Sequence, residues 1–291
     1  MPVYRQTYRT YEGAVRRWFR WRTIVAQELR VLFRSWAFRG LFAAGMLHVL
    51  LRMIQIMAYD IVVADEDNVL RTVLPNMELF KVNTQTFYDF IAIQCPLVFV
   101  TTILAGAGMV CNDFRHNLIE VYFSKPLTWR DYVLGKTVSL LVVGMLLTAI
   151  PALFLLALHN AFLPSMATFR DTYWWAGSIL AFSCAMVFPC ALGVLASSSL
   201  FRSQRFAAVA VFMVTFADLT LGTALPSMLH ENDFLILAFP IAINHVGERA
   251  FQLSTHAFDL DWRWSALSIT SVCLAALWIV CRRVRRAETA T

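Results

Sequence analysis

Apolar residues run along this chain in six long blocks, separated by polar stretches that carry most of the charge. The blocks are roughly Gly40–Tyr59, Phe90–Val110, Thr137–Leu158, Tyr173–Leu200, Phe206–Leu225 and Trp264–Cys281. A helix needs about 20 mostly apolar residues to cross a bilayer, so each block is a predicted span. The fourth is long enough to tilt or to extend beyond the hydrocarbon core. Thr101, Gly106, Gly108, Gly144, Gly193 and Ser197 are small residues that permit close helix contact. Ahead of the first block, within 13–34, Val15, Trp18, Trp21, Val25, Leu29 and Leu32 recur at helical spacing, while Arg16, Arg17 and Arg20 point mostly elsewhere. That pattern predicts an interfacial amphipathic helix, basic on one face and Trp-rich on the other. Between the last two blocks, Phe234–Ile243 is an apolar run around Pro240. It is too short to span and reads as a re-entrant or interfacial element, tolerated where protein or a cavity covers its backbone.

Composition agrees with this layout. The 291 residues are 59% apolar and 15% charged, with a mean hydropathy of +0.60. A soluble domain sits nearer 45–50% apolar and about 25% charged. The prediction is an all-α integral membrane protein, a single domain over 1–291, with a basic arm at 1–39, spans over 40–281 and a tail at 282–291. No cleavable signal is expected ahead of the first block, because arginines run to Arg39. The six cysteines lie within or at the ends of apolar blocks and show no CxxC spacing, so neither a disulfide framework nor a zinc site is expected. An Arg-rich arm also suits phosphate binding, but here the stripe is aromatic and leads into a bilayer, so no nucleic-acid partner is expected.

Lys and Arg set the orientation. Residues 1–39 hold nine arginines. Arg115, Lys125, Arg130 and Lys136 lie between the second and third blocks, Arg202 and Arg205 between the fourth and fifth, and Arg282, Arg283, Arg285 and Arg286 at the end. The opposite side holds Arg71, Lys81, Arg170, Arg249 and Arg263. Both termini and the 112–136 loop are therefore predicted to be cytoplasmic.

That loop is the long polar run in the middle of the chain. Asn112 or Asp113 can cap a helix start. Phe114, Leu118, Val121 and Tyr122 then fall on one helical face, with Arg115, His116, Asn117 and Glu120 on the other. Ser124-Lys125-Pro126 ends the helix, since the residue before proline avoids the α region. Thr128-Trp129-Arg130-Asp131 reads as a capping box that opens the next helix. Asp113-Phe114-Arg115, Tyr122-Phe123-Ser124-Lys125-Pro126-Leu127 and Arg130-Asp131-Tyr132-Val133-Leu134-Gly135-Lys136 together resemble the cytoplasmic loop of ABC type-2 exporter permeases, between membrane helices two and three. The motif covers about a tenth of the chain, and the six-block layout extends the likeness to most of it. The resemblance implies an N-terminal elbow helix, six spans, a coupling helix between the second and third, and broken helices between the last two. It also implies a separate ATPase subunit, which holds ATP and Mg, and a second permease copy. The coupling residues it implies are Asp113, Phe114, Arg115, Leu118, Glu120, Tyr122, Lys125 and Pro126.

Other chemistry is sparse. Gly135-Lys136-Thr137 resembles the tail of a phosphate-binding loop, but Arg130 stands where the first glycine is required. Lys136 is better read as an anchor at the cytoplasmic end of the third span. His230-Glu231 starts a zincin motif, but Phe234 replaces the second ligand. His245, His256, Glu248 and Asp259 share that segment with no ligand spacing, so no metal is expected. Asp218 is read as the one acid well inside a span, and Arg52 as the one base, with His48 a turn before it. Charges at such depth are costly unless paired or watered. They form part of a polar substrate path or dimer-facing pair, or else Arg52 snorkels outward and Asp218 is neutral or bonded to a neighbouring helix. The reading that follows is a permease subunit of an ATP-driven exporter, itself not an enzyme, in a bacterial inner membrane among membrane lipid. A secondary transporter would require inverted repeats, and a membrane-embedded lipid-modifying enzyme would require clustered catalytic groups. Neither feature is visible.

Overall fold

The computed structural model describes residues 19–64, 81–124, 127–162, 166–229, 238–253 and 261–288. Eleven α-helices and no strand occur among the described residues. They are α1 (Trp21–Arg34), α2 (Trp36–Ala64), α3 (Thr84–Gly106), α4 (Cys111–Arg115), α5 (Leu118–Phe123), α6 (Trp129–Leu147), α7 (Ala149–Phe162), α8 (Met166–Leu200), α9 (Gln204–Leu229), α10 (Phe239–Ala250) and α11 (Trp262–Glu288).

Among the described residues, six stretches are long and apolar enough to cross a membrane: Trp36–Ile61, Thr84–Arg115, Trp129–Phe162, Phe169–Leu200, Gln204–Pro226 and Trp262–Glu288. Each contains one predicted block and runs past it, because helix continues through polar residues that hydropathy assigns to loops. The third is two helices. Pro151 has no N–H to give to Leu147, and its ring crowds that carbonyl. The chain breaks at Thr148 (φ −116°, ψ −81°), whose hydroxyl bonds back to the Gly144 carbonyl at 3.0 Å.

α8 packs against α3, α6, α7, α9, α10 and α11 and is the central strut. Around it the core divides in two. One half gathers Ile56, Phe87, Phe90, Phe182, Met186 and Phe251. The other gathers Phe38, Met109, Val110, Tyr132, Leu195 and Val284. Close approach at Gly106 and Gly144 is real, since a Cβ there would meet Val194 and Val187. Gly193 instead faces open space, so it carries no helix contact.

The single helix expected over 112–123 is a pair. Asn117 takes the left-handed conformation (φ 54°) between α4 and α5, which a short amide side chain tolerates better than most. The kink re-aims the second turn. Ile119 is buried, whereas Leu118 and Val121, expected on the apolar inner face, are exposed. Asn112 and Asp113 do not cap α4 either; the Ser198 hydroxyl of α8 does, accepting the Val110 and Cys111 N–H groups at 3.0 and 3.1 Å and donating to Ala107 O at 2.9 Å. The Thr128–Asp131 capping box is present. Of the apolar run at 234–243, residues up to 237 lie outside the described set. The remainder opens α10, a helix of 12 residues.

Candidate functional site

Three polar groups that lie far apart in sequence meet at one end of the bundle. α1 crosses α6 where Gly135 offers no side chain; the Ile24 Cβ lies 2.8 Å from where a Cβ on Gly135 would stand. Any larger residue would force the helices apart. The next residue, Lys136, is only 2% exposed. Its ammonium has three protons to place. It meets Glu28 Oε1 of α1 at 2.6 Å, Asp113 Oδ2 of α4 at 2.6 Å and the Met109 carbonyl at 3.0 Å. Asp113 also accepts the Tyr132 hydroxyl at 2.7 Å. The ammonium lies 5.3 and 5.8 Å from the ring centroids of Tyr132 and Tyr122, within cation–π range.

A buried charge is tolerated only when paired and fully hydrogen-bonded. Lys136 meets that condition by joining α1, the α4 turn and α6. One ammonium faces two carboxylates, so the cluster is net acidic, and the tyrosine donor supplies part of the balance. Burial pushes the Tyr122 hydroxyl above its ordinary pKa of 10.0, against a smaller opposing pull from Lys136. It therefore stays a neutral phenol and packs edge-on against Tyr132, with centroids 5.4 Å apart. The arrangement is a fixed joint.

The residues singled out from sequence fall in three places. Arg115, Leu118 and Glu120 are exposed on α4 and α5, beside exposed Val121. Phe114 and Tyr122 are half-buried, Phe114 beneath the Arg283 guanidinium at 5.3 Å. Asp113 is buried, so it cannot meet a soluble partner as a surface charge. Lys136 is likewise an internal hub, where a boundary anchor was expected. Lys125 and Pro126 lie outside the described residues, as do His230, Glu231 and His256.

His48, Arg52 and Asp218 each make a separate contact. His48 stacks on Phe90 at 5.1 Å. Arg52 donates to Gln55 on its own helix at 2.8 Å. Asp218 accepts the Phe239 N–H at 2.7 Å and so caps α10, whose own N-cap residue, Ala238, has no side-chain acceptor. Nor is Asp218 alone among acids inside a helix. Asp60 and His159, each one residue past the end of a predicted block, are buried within α2 and α7, with His159 Nδ1 2.9 Å from both Asp60 oxygens and its ring stacked on Trp175 at 6.1 Å.

Glu28, Tyr132, Ser198 and the Asp60–His159 pair were missed by sequence reasoning. Tyr132 and Lys136 stand four apart, on one helical face, which is the one local signal. A family model described as ABC-2 family transporter protein matches residues 22–249. No curated protein matches the chain. The match spans most of the chain, from α1 to the last turn of α10, and includes the whole Glu28–Asp113–Lys136 joint; the chain belongs to the ABC-2 family of transporter proteins, as a multi-pass membrane component.

Proposed function

We propose that this chain is the permease subunit of an ATP-driven exporter of a bacterial inner membrane, with both termini cytoplasmic. Separate ATPase subunits hold ATP and Mg, and a second permease copy completes the assembly. One observation carries the reading: the Lys136 joint ties the exposed surface of α4 and α5 to α1 and α6. An ATPase seated on Arg115, Leu118, Glu120 and Val121 displaces α4 and α5. Asp113 passes that displacement through Lys136 to α6 and, through Glu28, to α1. Asp113 is thus a positioning residue of the coupling element. The largely exposed apolar faces of α2 and α9 are suited to lipid or to the second copy.

The test is co-purification with the ATPase subunit. Leu118→Asp with Val121→Asp places two charges on side chains that are 41% and 55% exposed, so the fold should tolerate them. The variant is expected to lose the ATPase while keeping its melting temperature. Undiminished co-purification and hydrolysis would sink the docking surface. Hydrolysis by this chain alone would sink the whole reading.

A further inference from the structure

The last turns of α11 carry Arg282, Arg283, Arg285 and Arg286. Arg283 turns to Phe114. The other three, with Cys281, Trp278 and Trp129 of α6, line a cavity of about 360 Å³. Cys281 and Arg282 stand three and four residues after Trp278, and Arg285 stands four and three after them, so they share a helical face. Continued upstream, that face shows exposed Leu274 and Leu267. It therefore grades from aliphatic through indole to guanidinium along the helix axis. The Arg282 guanidinium rests 4.9 Å from the Trp278 ring centroid and Arg130 sits 5.4 Å from that of Trp129, which holds cationic groups at the aromatic level. Among the described residues, the neighbouring carboxylates of Glu288 and Asp131 each make a structural hydrogen bond. Glu288 accepts the Trp129 N–H at 3.2 Å, and Asp131 closes the capping box with Thr128. None of the ion pairs among the described residues involves Arg282 or Arg285.

We propose that this cavity binds the phosphate diester of an anionic phospholipid of the cytoplasmic leaflet, with the acyl chains running past Trp278 and Leu274 along α11. A soluble phosphate would use the arginines but not the apolar strip. A zwitterionic lipid would use the strip but gain little from three arginines. Only an anionic lipid matches both ends, and basic pockets at the cytoplasmic ends of membrane helices suit such headgroups. The inference rests on the orientation set by Lys and Arg. It does not require the ATPase, so its failure would leave the permease proposal standing.

Native mass spectrometry of the purified full chain, delipidated in detergent, reads the binding directly. Phosphatidylglycerol and phosphatidylcholine are titrated separately, with inorganic phosphate and ATP as competing arms. One phosphatidylglycerol should bind at least about tenfold more tightly than phosphatidylcholine. An arginine at an anionic surface contributes about fivefold, so Arg285→Gln should weaken phosphatidylglycerol about fivefold. The combined Arg282→Gln, Arg285→Gln and Arg286→Gln variant should lose roughly a hundredfold, and Arg283→Gln should lose none. If the triple variant is not monodisperse, Arg285→Gln alone decides. Equal binding of the two lipids, an unchanged Arg285→Gln affinity, or displacement of the lipid by millimolar phosphate or ATP would each overturn the assignment.

Discussion

Lys136→Met is the most informative perturbation at the joint. Methionine fills nearly the same volume, so the change removes charge and hydrogen bonds while leaving little void. It strands the Glu28 and Asp113 carboxylates beside each other in a buried site and orphans the Met109 carbonyl. Removing one partner of a buried ion pair typically costs about 3–5 kcal/mol. At roughly 2–4 °C per kcal/mol for a large domain, the melting temperature should fall by about 10 °C, read by tryptophan fluorescence in detergent. Asp113→Asn should cost far less, because Lys136 keeps Glu28 and the amide oxygen still accepts from Tyr132. The decisive comparison is the triple variant Glu28→Gln, Asp113→Asn and Lys136→Met. If the penalty is stranded charge, neutralising both acids should recover a good part of the loss in Lys136→Met. A triple variant no more stable than Lys136→Met would refute the electrostatic account. So would a Lys136→Met that melts with the wild type.

We predict three further outcomes. Ser198→Ala leaves the buried Val110 and Cys111 N–H groups without their acceptor, which should cost about 1–3 kcal/mol and selectively raise hydrogen exchange at residues 110–115; unchanged exchange would show that α4 is held otherwise. Asp218→Leu removes the cap of α10 and should raise exchange at residues 239–243, whereas Asp218→Asn keeps an acceptor and should change little, a cap being worth about 1 kcal/mol. Burial pushes His245 below its ordinary pKa of 6.5, against a smaller opposing effect of Asp261. The unfolded chain therefore takes up the proton first, so the stability that neutral His245 contributes is present above pH 6.5 and lost as pH falls below it. Protection of α10 amides, taken relative to the intrinsic exchange rate at each pH, should fall as pH is lowered from 7.5 to 5, and His245→Asn should flatten that response.

The spans were legible because hydropathy over twenty residues averages out local detail. The motif around Tyr132-Val133-Leu134-Gly135-Lys136 was legible as a pattern, but its physical meaning was not. Gly135 is small because Ile24 of α1 rests on it, and Lys136 is basic because Glu28, 108 residues earlier, needs a partner. No local spacing links positions so far apart. Asp60 and His159 misled for a related reason. Each follows the end of an apolar block, and a charge there reads as solvated loop until the tertiary fold supplies its partner. Leu118 and Val121 were misplaced by a single backbone angle at Asn117, since helical periodicity assumes an unbroken helix.

α8 meets both ends of the molecule through single hydroxyls. Ser198 holds the 107–111 turn, and Ser178 donates to the Ala250 carbonyl at the close of α10, at 2.6 Å. Between them lies Pro189. Proline cannot donate to Ala185, so one rung of the ladder is missing and the helix is compliant there. On the proposed coupling route, displacement entering at α4 would reach α10 through a strut with one built-in weak point. Pro189→Ala restores the rung and should raise the melting temperature by several degrees, since interior proline costs about 3 kcal/mol. If the compliance is used, the stiffer strut should slow ATP hydrolysis in the assembled complex while leaving ATPase association intact. Higher stability with unchanged hydrolysis would show that Pro189 is only a defect the bundle tolerates. Slower hydrolysis with normal association would place the moving part of this permease in α8, between its two serine contacts.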